Sequence, residues 1–223
     1  IRKDWLDKLG HDIPTTIDDW YTVLKDFKEK DPNENGEADE IPFTAFTGLG
    51  EYGYLASGFG LPAPVPEFFA DDNDKVQYSY TMPEFKELLI FLNKLYNEKL
   101  LDPQYSTGGD EAKVDAMVAK DIVGVCAHFA TVESRWDNIL IEAGVEDVDY
   151  RLVPPPHGPD GTLQQIMRTP TGAQFGITKD CENVETVVKW MDYIYASEEG
   201  VDLLAYGIEG DTWEYDGDEK KLN

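Results

Sequence analysis

Basic residues are scarce in this 223-residue chain, where 19 lysines and arginines stand against 45 aspartates and glutamates, for a formal charge of −26. A field of that sign repels phosphate backbones and anionic headgroups, so nucleic acid is excluded as a partner. The acids are spread along the sequence rather than gathered into a tail, which describes a self-repelling surface and names no ligand. Cysteine is nearly absent: Cys126 sits in an apolar run and Cys181 among polar residues. Two thiols can pair in an oxidising compartment, but they are no disulfide framework. The three histidines, His11, His128 and His157, lie far apart and lack ligand spacing, which argues against a histidine-based metal hydrolase. A Gly-x-Ser-x-Gly elbow and Gly-rich phosphate loops are also missing. No apolar stretch reaches the ~20 residues of a membrane span, and Ile1 to Trp5 lack the apolar core of a signal peptide.

What is present suffices for a folded domain, since 41% of the residues are hydrophobic and 12% aromatic. The chain opens abruptly on an amphipathic segment and stops at Lys221-Leu222-Asn223 without a domain-like close, so it reads as a piece of a longer protein.

Periodicity predicts the elements. Thr16 caps a helix with Asp19 at its third position, and Ile17, Trp20, Tyr21, Leu24 and Phe27 form its apolar stripe. Thr81-Met82-Pro83-Glu84 reads as a capping box before Phe85, Leu88, Leu89, Leu92, Leu95 and Tyr96. A short helix is expected over 111–119, a buried strand over 122–127, a helix over 131–143 and a strand near 150–153 that Pro154-Pro155-Pro156 ends. Another strand is expected over 173–177, then a helix capped by Asn183 and a last one capped by Ser197. This alternation gives an α/β fold with a modest sheet flanked by helices. The stretch 43–74, rich in Gly, Pro and aromatics, is too long for a plain connector and is expected to carry function.

One motif carries metal chemistry. Asp31, Asn33, Asn35 and Asp39 occupy positions 1, 3, 5 and 9 of an EF-hand-like loop, Gly36 makes the sharp turn at 6, and Glu37 offers a carbonyl at 7. Hard oxygens at that spacing suit calcium. Pro42 replaces the glutamate of position 12, so Glu40 is left to supply the bidentate contact. The competing reading is a polar turn, which uses the same residue types.

The loop in its setting is similar to family 1 extracellular solute-binding proteins, the binding components of bacterial ABC importers, and especially to their lipoprotein branch with alginate-oligosaccharide-binding members. The resemblance rests on Ile1 to Gly10, Pro14 to Trp20, the loop ending in Pro42, the run Lys94 to Pro103, Thr169-Pro170-Thr171-Gly172, and Tyr206 to Gly210. It implies a periplasmic-binding-protein-like lobe: residues 1–165 as the second of two lobes, and 166–223 as a return segment that would join the first lobe. It also implies a solute held between lobes; a strongly acidic cleft would sit badly with a polyanion, so a neutral oligosaccharide is the first expectation. Delivery to permease subunits and a lipid-anchored parent on the extracellular face of the cytoplasmic membrane follow from the same resemblance, as does open apolar surface near Ile177, Trp190 and Tyr193; the calcium ion, at a single loop without a partner loop, reads as structural.

Aromatic faces flanked by polar groups bind sugars. The candidates are Glu51 and Tyr54 in the Gly-rich stretch, His128 and Phe129 after the buried strand, Arg135 on the following helix, and Trp213 near the return; for each, local packing or a surface ion pair is the alternative. Other classes are a calcium-stabilised glycoside hydrolase, whose two carboxylates would stand about 5 to 9.5 Å apart, and a stand-alone carbohydrate-binding module. Nothing singles out such a pair among the acids, and helices argue against a β-sandwich module. The reading is a receptor, not an enzyme.

Overall fold

The computed structural model describes residues 1–46, 51–65, 68–71, 73–104, 111–128, 132–163, 176–217 and 219–222. The chain divides into two compact units, Ile1–Met167 and Arg168–Asn223.

In the first unit, α1 (Lys3–Leu9) and α2 (Ile17–Glu29) lead to β1 (Ile41–Ala45), and a 3-10 helix follows at Glu51–Phe59. A small antiparallel hairpin, β2 (Phe68–Ala70) and β3 (Val76–Tyr78), precedes α3 (Pro83–Asn97), α4 (Glu111–Val118), β4 (Val123–Ala127) and α5 (Glu133–Glu142). β1 and β4 pair in parallel, Ile41 against Val123 and Ala45 against Ala127, with a further parallel bridge from Phe43 to Leu101. The α/β class expected from the sequence is what is found.

α2 forms where its sequence places it: the Thr16 hydroxyl accepts the Asp19 amide at 3.2 Å, and the Asp19 carboxylate accepts the Thr16 amide at 3.0 Å. These reciprocal bonds satisfy two amides that the first helical turn leaves open. Trp20, Val23, Leu24 and Phe27 then bury one face, joining Trp5, Leu6, Phe43, Tyr52, Leu55, Leu88, Leu92 and Leu95 in the main core. A second cluster collects Val114, Val118, Val123, Trp136, Leu140 and Tyr150. Gly124 is the contact point of α2 with β4: a Cβ there would overlap the Phe27 ring and crowd the Pro42 carbonyl.

Two local expectations need correction. The cap of α3 is Met82, without a side-chain bond; the Thr81 hydroxyl instead donates to the Tyr78 carbonyl at 3.0 Å within a short 3-10 turn. Pro83 does occupy the first turn, where its missing N–H costs nothing. The expected strand over 150–153 reduces to a single bridge between Tyr150 and Arg2, because the Leu152 amide is taken by the Glu133 carboxylate at 3.3 Å and the prolines that follow have no donors.

The second unit contains α6 (Val184–Ala196), α7 (Glu198–Ala205) and an antiparallel pair, β5 (Trp213–Asp216) with β6 (Glu219–Leu222). Ser197 caps α7 by accepting the Gly200 amide at 3.0 Å. Asn183 sits at the N-cap of α6 without a side-chain cap bond. None of the residues of α6 is buried, and Val188 and Trp190 are more than half exposed. Residues 173–175 of the strand expected over 173–177 lie outside the described residues, and 176–177 are irregular. Cys126 and Cys181 are free thiols. Among the described residues no helix is long and apolar enough to cross a membrane.

Candidate functional site

Asp31 to Glu40 leaves α2 as a tight loop in which Asp31, Glu34 and Gly36 all take positive φ, at 48°, 58° and 80°. Glycine adopts this conformation without strain, and aspartate tolerates it through local side-chain bonds. The Asp31 carboxylate accepts the amides of Asn35 at 3.1 Å and Gly36 at 3.0 Å, and the Asn35 side-chain oxygen accepts the Glu37 amide at 2.6 Å. Asn33 is fixed to the rest of the unit by donating to the Asp121 carbonyl at 2.8 Å, and Asn35 donates to Asp39 at 3.2 Å.

Among the described residues, no three His, Cys, Asp or Glu side chains are gathered closely enough to hold a metal ion. Glu40 is the exception to the loop's internal pairing. It is 2% exposed, and neither carboxylate oxygen has a hydrogen-bond partner. Burial, with the nearby charges of Asp39 and Asp31, raises its pKa. A buried carboxylate without a hydrogen-bond donor is costly, and a cation held between Glu40 and its acidic neighbours would relieve that cost. Glu40 and Asp39 border a concavity of about 890 Å³.

A separate cavity of about 500 Å³ opens where β1 and β4 end, within the usual size of small-ligand sites. Parallel strands leave their carboxyl ends free of helix cover, which is where α/β folds place ligands. Phe43 and Val125 form its floor with Trp20 and Leu55; Ala127 and His128 continue from β4, Tyr54 comes from the 3-10 helix, and Arg151 to Pro156 close one wall.

The structure therefore brings together two of the sequence candidates, Tyr54 and His128. The His128 ring packs on Phe46 at 4.7 Å and on Trp136 at 5.8 Å between centroids. Glu51 does not line the cavity; its carboxylate accepts the Phe46 amide, which ties the start of the 3-10 helix to the end of β1. Arg135 does not line it either, and forms ion pairs with Glu111 and Asp115 of α4. Its neighbour Trp136 is buried and donates to the same Asp115 at 3.0 Å. Trp213 belongs to the second unit, where it is buried, donates to the Gly207 carbonyl at 3.3 Å and packs on Tyr206 and Tyr215. Phe129 lies outside the described residues. Sequence reading missed Trp20, Cys126, Arg151 and the proline wall as cavity residues. Trp20 and Cys126 carry the pattern of core positions, and only the return of 151–156 past the end of β4 makes a site of them.

Residues 1–201 match the family model described as bacterial extracellular solute-binding protein. The fructooligosaccharide ABC transporter substrate-binding protein FusA of Streptococcus pneumoniae is 32% identical over the whole chain, and lipoprotein LipO of Bacillus subtilis is 31% identical over 96% of it. The chain spans 39% and 43% of the length of these two relatives. The structure of FusA in complex with kestose superposes on all of this chain and 45% of its own, with a TM-score of 0.67 at 27% identity. A second FusA structure, at 26% identity and a TM-score of 0.64, is of an EF-hand mutant in complex with fructo-nystose.

Proposed function

We propose, for a chain that belongs to the bacterial extracellular solute-binding protein family, that it forms one side of an oligosaccharide receptor for an ABC importer. Residues 1–165 are the second lobe in this reading, and 166–223 are the return segment that joins the first. The observation that carries it is the cavity at the carboxyl ends of β1 and β4, with Tyr54 and His128 in its walls. An apolar pocket with few polar groups suits the carbon face of a sugar ring, and Tyr54 adds a hydroxyl for its rim. A complementary lobe closes the other side, and the loaded receptor hands its solute to permease subunits at the extracellular face of the cytoplasmic membrane. The uncovered apolar residues of α6 and α7, including Trp190 and Leu204, supply the surface against which that lobe packs.

Calcium at the Asp31–Glu40 loop is part of the same proposal. Asp31, Asn33, Asn35, Asp39 and Glu40 supply side-chain oxygens and Glu37 a carbonyl, and the orphaned Glu40 carboxylate supports the assignment. The ion contributes charge neutralisation that fixes the loop after α2; chemistry on the solute is not assigned to it.

The test is equilibrium binding of the full-length protein to an oligosaccharide panel, with chromatography of the recovered sugar. Binding with unchanged sugar supports the receptor. Hydrolysis that a single carboxylate substitution abolishes would replace it with a glycoside hydrolase.

A further inference from the structure

The loop from Asp31 to Glu40 holds a reactive pair of residues with no part in binding a solute. Asn35 is the one asparagine in the sequence that a glycine follows, and both residues are exposed. The backbone nitrogen after an asparagine is a nucleophile within reach of the side-chain carbonyl, and glycine leaves the approach unobstructed because it has no Cβ. At Gly36 the surroundings are open as well, since a Cβ there would meet nothing within 4 Å. The Gly36 amide donates to Asp31 Oδ2 at 3.0 Å, so a carboxylate stands where the amide proton must go. The Asn35 side chain is held by the Glu37 amide, which donates to its Oδ1 at 2.6 Å, and by its own Nδ2, which donates to Asp39 Oδ1 at 3.2 Å. Both bonds are exposed to water, so each costs little to exchange for a bond to solvent.

We propose that Asn35 is a self-modification site whose reaction calcium suppresses. The Gly36 nitrogen bonds to Asn35 Cγ, the Cγ–Nδ2 bond breaks, and the proton given up by the Gly36 amide leaves on ammonia. Water then opens the resulting five-membered succinimide at either carbonyl, giving aspartate or isoaspartate. One water enters and one ammonia departs, so no oxidant or reductant is required. For Cγ to meet the Gly36 nitrogen, the side chain has to turn away from Glu37 and Asp39. An ion coordinated by Asn35 Oδ1 opposes that rotation, so the protection rests on the calcium assignment above while the cyclisation does not. The change is one-way. Aspartate adds a charge at a ligand position, whereas isoaspartate inserts a methylene into the main chain just before the Gly36 turn. The second product moves the Glu37 carbonyl out of the ligand set, and with it goes the spacing that a hard cation needs. The loop therefore records, irreversibly, the time a molecule has spent without calcium.

The experiment incubates the full-length protein at mildly alkaline pH, in chelator and in calcium, and maps its peptides by mass spectrometry. In chelator the peptide holding Asn35 is expected to gain about one dalton, the difference between an amide and an acid. Asp160-Gly161 and Asp216-Gly217 can cyclise in the same way, but they isomerise without a change of mass. Calcium at a hundred times its dissociation constant leaves about one loop in a hundred free, so conversion there should be slower by at least about tenfold. Protein carrying isoaspartate at Asn35, identified by enzymatic methylation of the new carboxylate, should no longer gain melting temperature from calcium. Asn35→Gln, whose longer side chain would have to close a six-membered ring, should show no mass gain in either condition. If Asn35 stays unchanged in chelator for as long as a free peptide of residues 31–40 takes to convert, the modification site is overturned. Equal rates with and without calcium, when calcium does raise the melting temperature, overturn the protection. Equal rates with no effect of calcium on melting overturn the calcium assignment and the protection together.

Discussion

Lys28 donates its ammonium to the backbone carbonyl of Glu40 at 2.8 Å and leaves the Glu40 carboxylate without a hydrogen bond. The lysine anchors the end of the loop to α2 and opposes part of the rise in the Glu40 pKa, but burial outweighs it and the pKa stays raised. Calcium is therefore expected to raise the melting temperature and chelation to lower it, by about 2.7 kcal/mol of stability at a hundred times the dissociation constant. Glu40→Gln should abolish the response to calcium, and in chelator it should be at least as stable as wild type, because it removes a buried charge. A melting curve that exhaustive chelation leaves unchanged contradicts the site.

The capping box of α2 gives a pH dependence of known sign. Hydrogen bonds from Thr16 hold the Asp19 carboxylate below its ordinary pKa. A depressed folded pKa contributes stability that is present above the unfolded value and is lost as pH falls through the folded one. Thr16→Ala or Asp19→Ala should cost about 1 kcal/mol at neutral pH. In urea titrations from about pH 5 downward, the gap between wild type and Asp19→Ala should narrow as the wild-type carboxylate protonates. A gap independent of pH would remove the charge from the explanation.

Gly124→Ala tests the packing of α2 on β4. Its Cβ would overlap the Phe27 ring and crowd a backbone carbonyl that cannot rotate away, so a loss of about 1–3 kcal/mol in denaturant unfolding is expected. Gly144, with nothing within 4 Å but a φ of +90°, is the control: Ala there is strained by conformation rather than contact.

Arg135→Ala should leave saccharide affinity unchanged and scarcely move the melting temperature, since its pairs with Glu111 and Asp115 are solvent-exposed. A clear loss of affinity in a binding titration would return Arg135 to the site.

How legible this was depends on how local each signal is. The start of α2 could be read because Thr16 and Asp19 bond each other, with no help from the rest of the fold. The start of α3 could not, because Thr81 has a nearer acceptor in Tyr78 that spacing alone does not reveal. The α/β class and the elements from α4 to α5 followed from periodicity, which core packing enforces. Tyr54 and His128, aromatic or polar residues at a loop and a strand end, do line the cavity, while Glu51, which the same pattern singles out, has its carboxylate on the Phe46 amide five residues back. Arg151 and Pro154 to Pro156 were invisible as cavity residues because their place depends on long-range pairing, such as Arg2 with Tyr150.

The most direct measurement is a calorimetric titration of this 223-residue chain and of the full-length protein side by side, with an oligosaccharide that the latter binds. A cavity that is one side of a two-lobed site makes only part of the contacts, so the chain alone is predicted to bind at least about tenfold more weakly than the full-length protein. Equal affinity in the two would contradict the account, and a self-contained binding module would take its place.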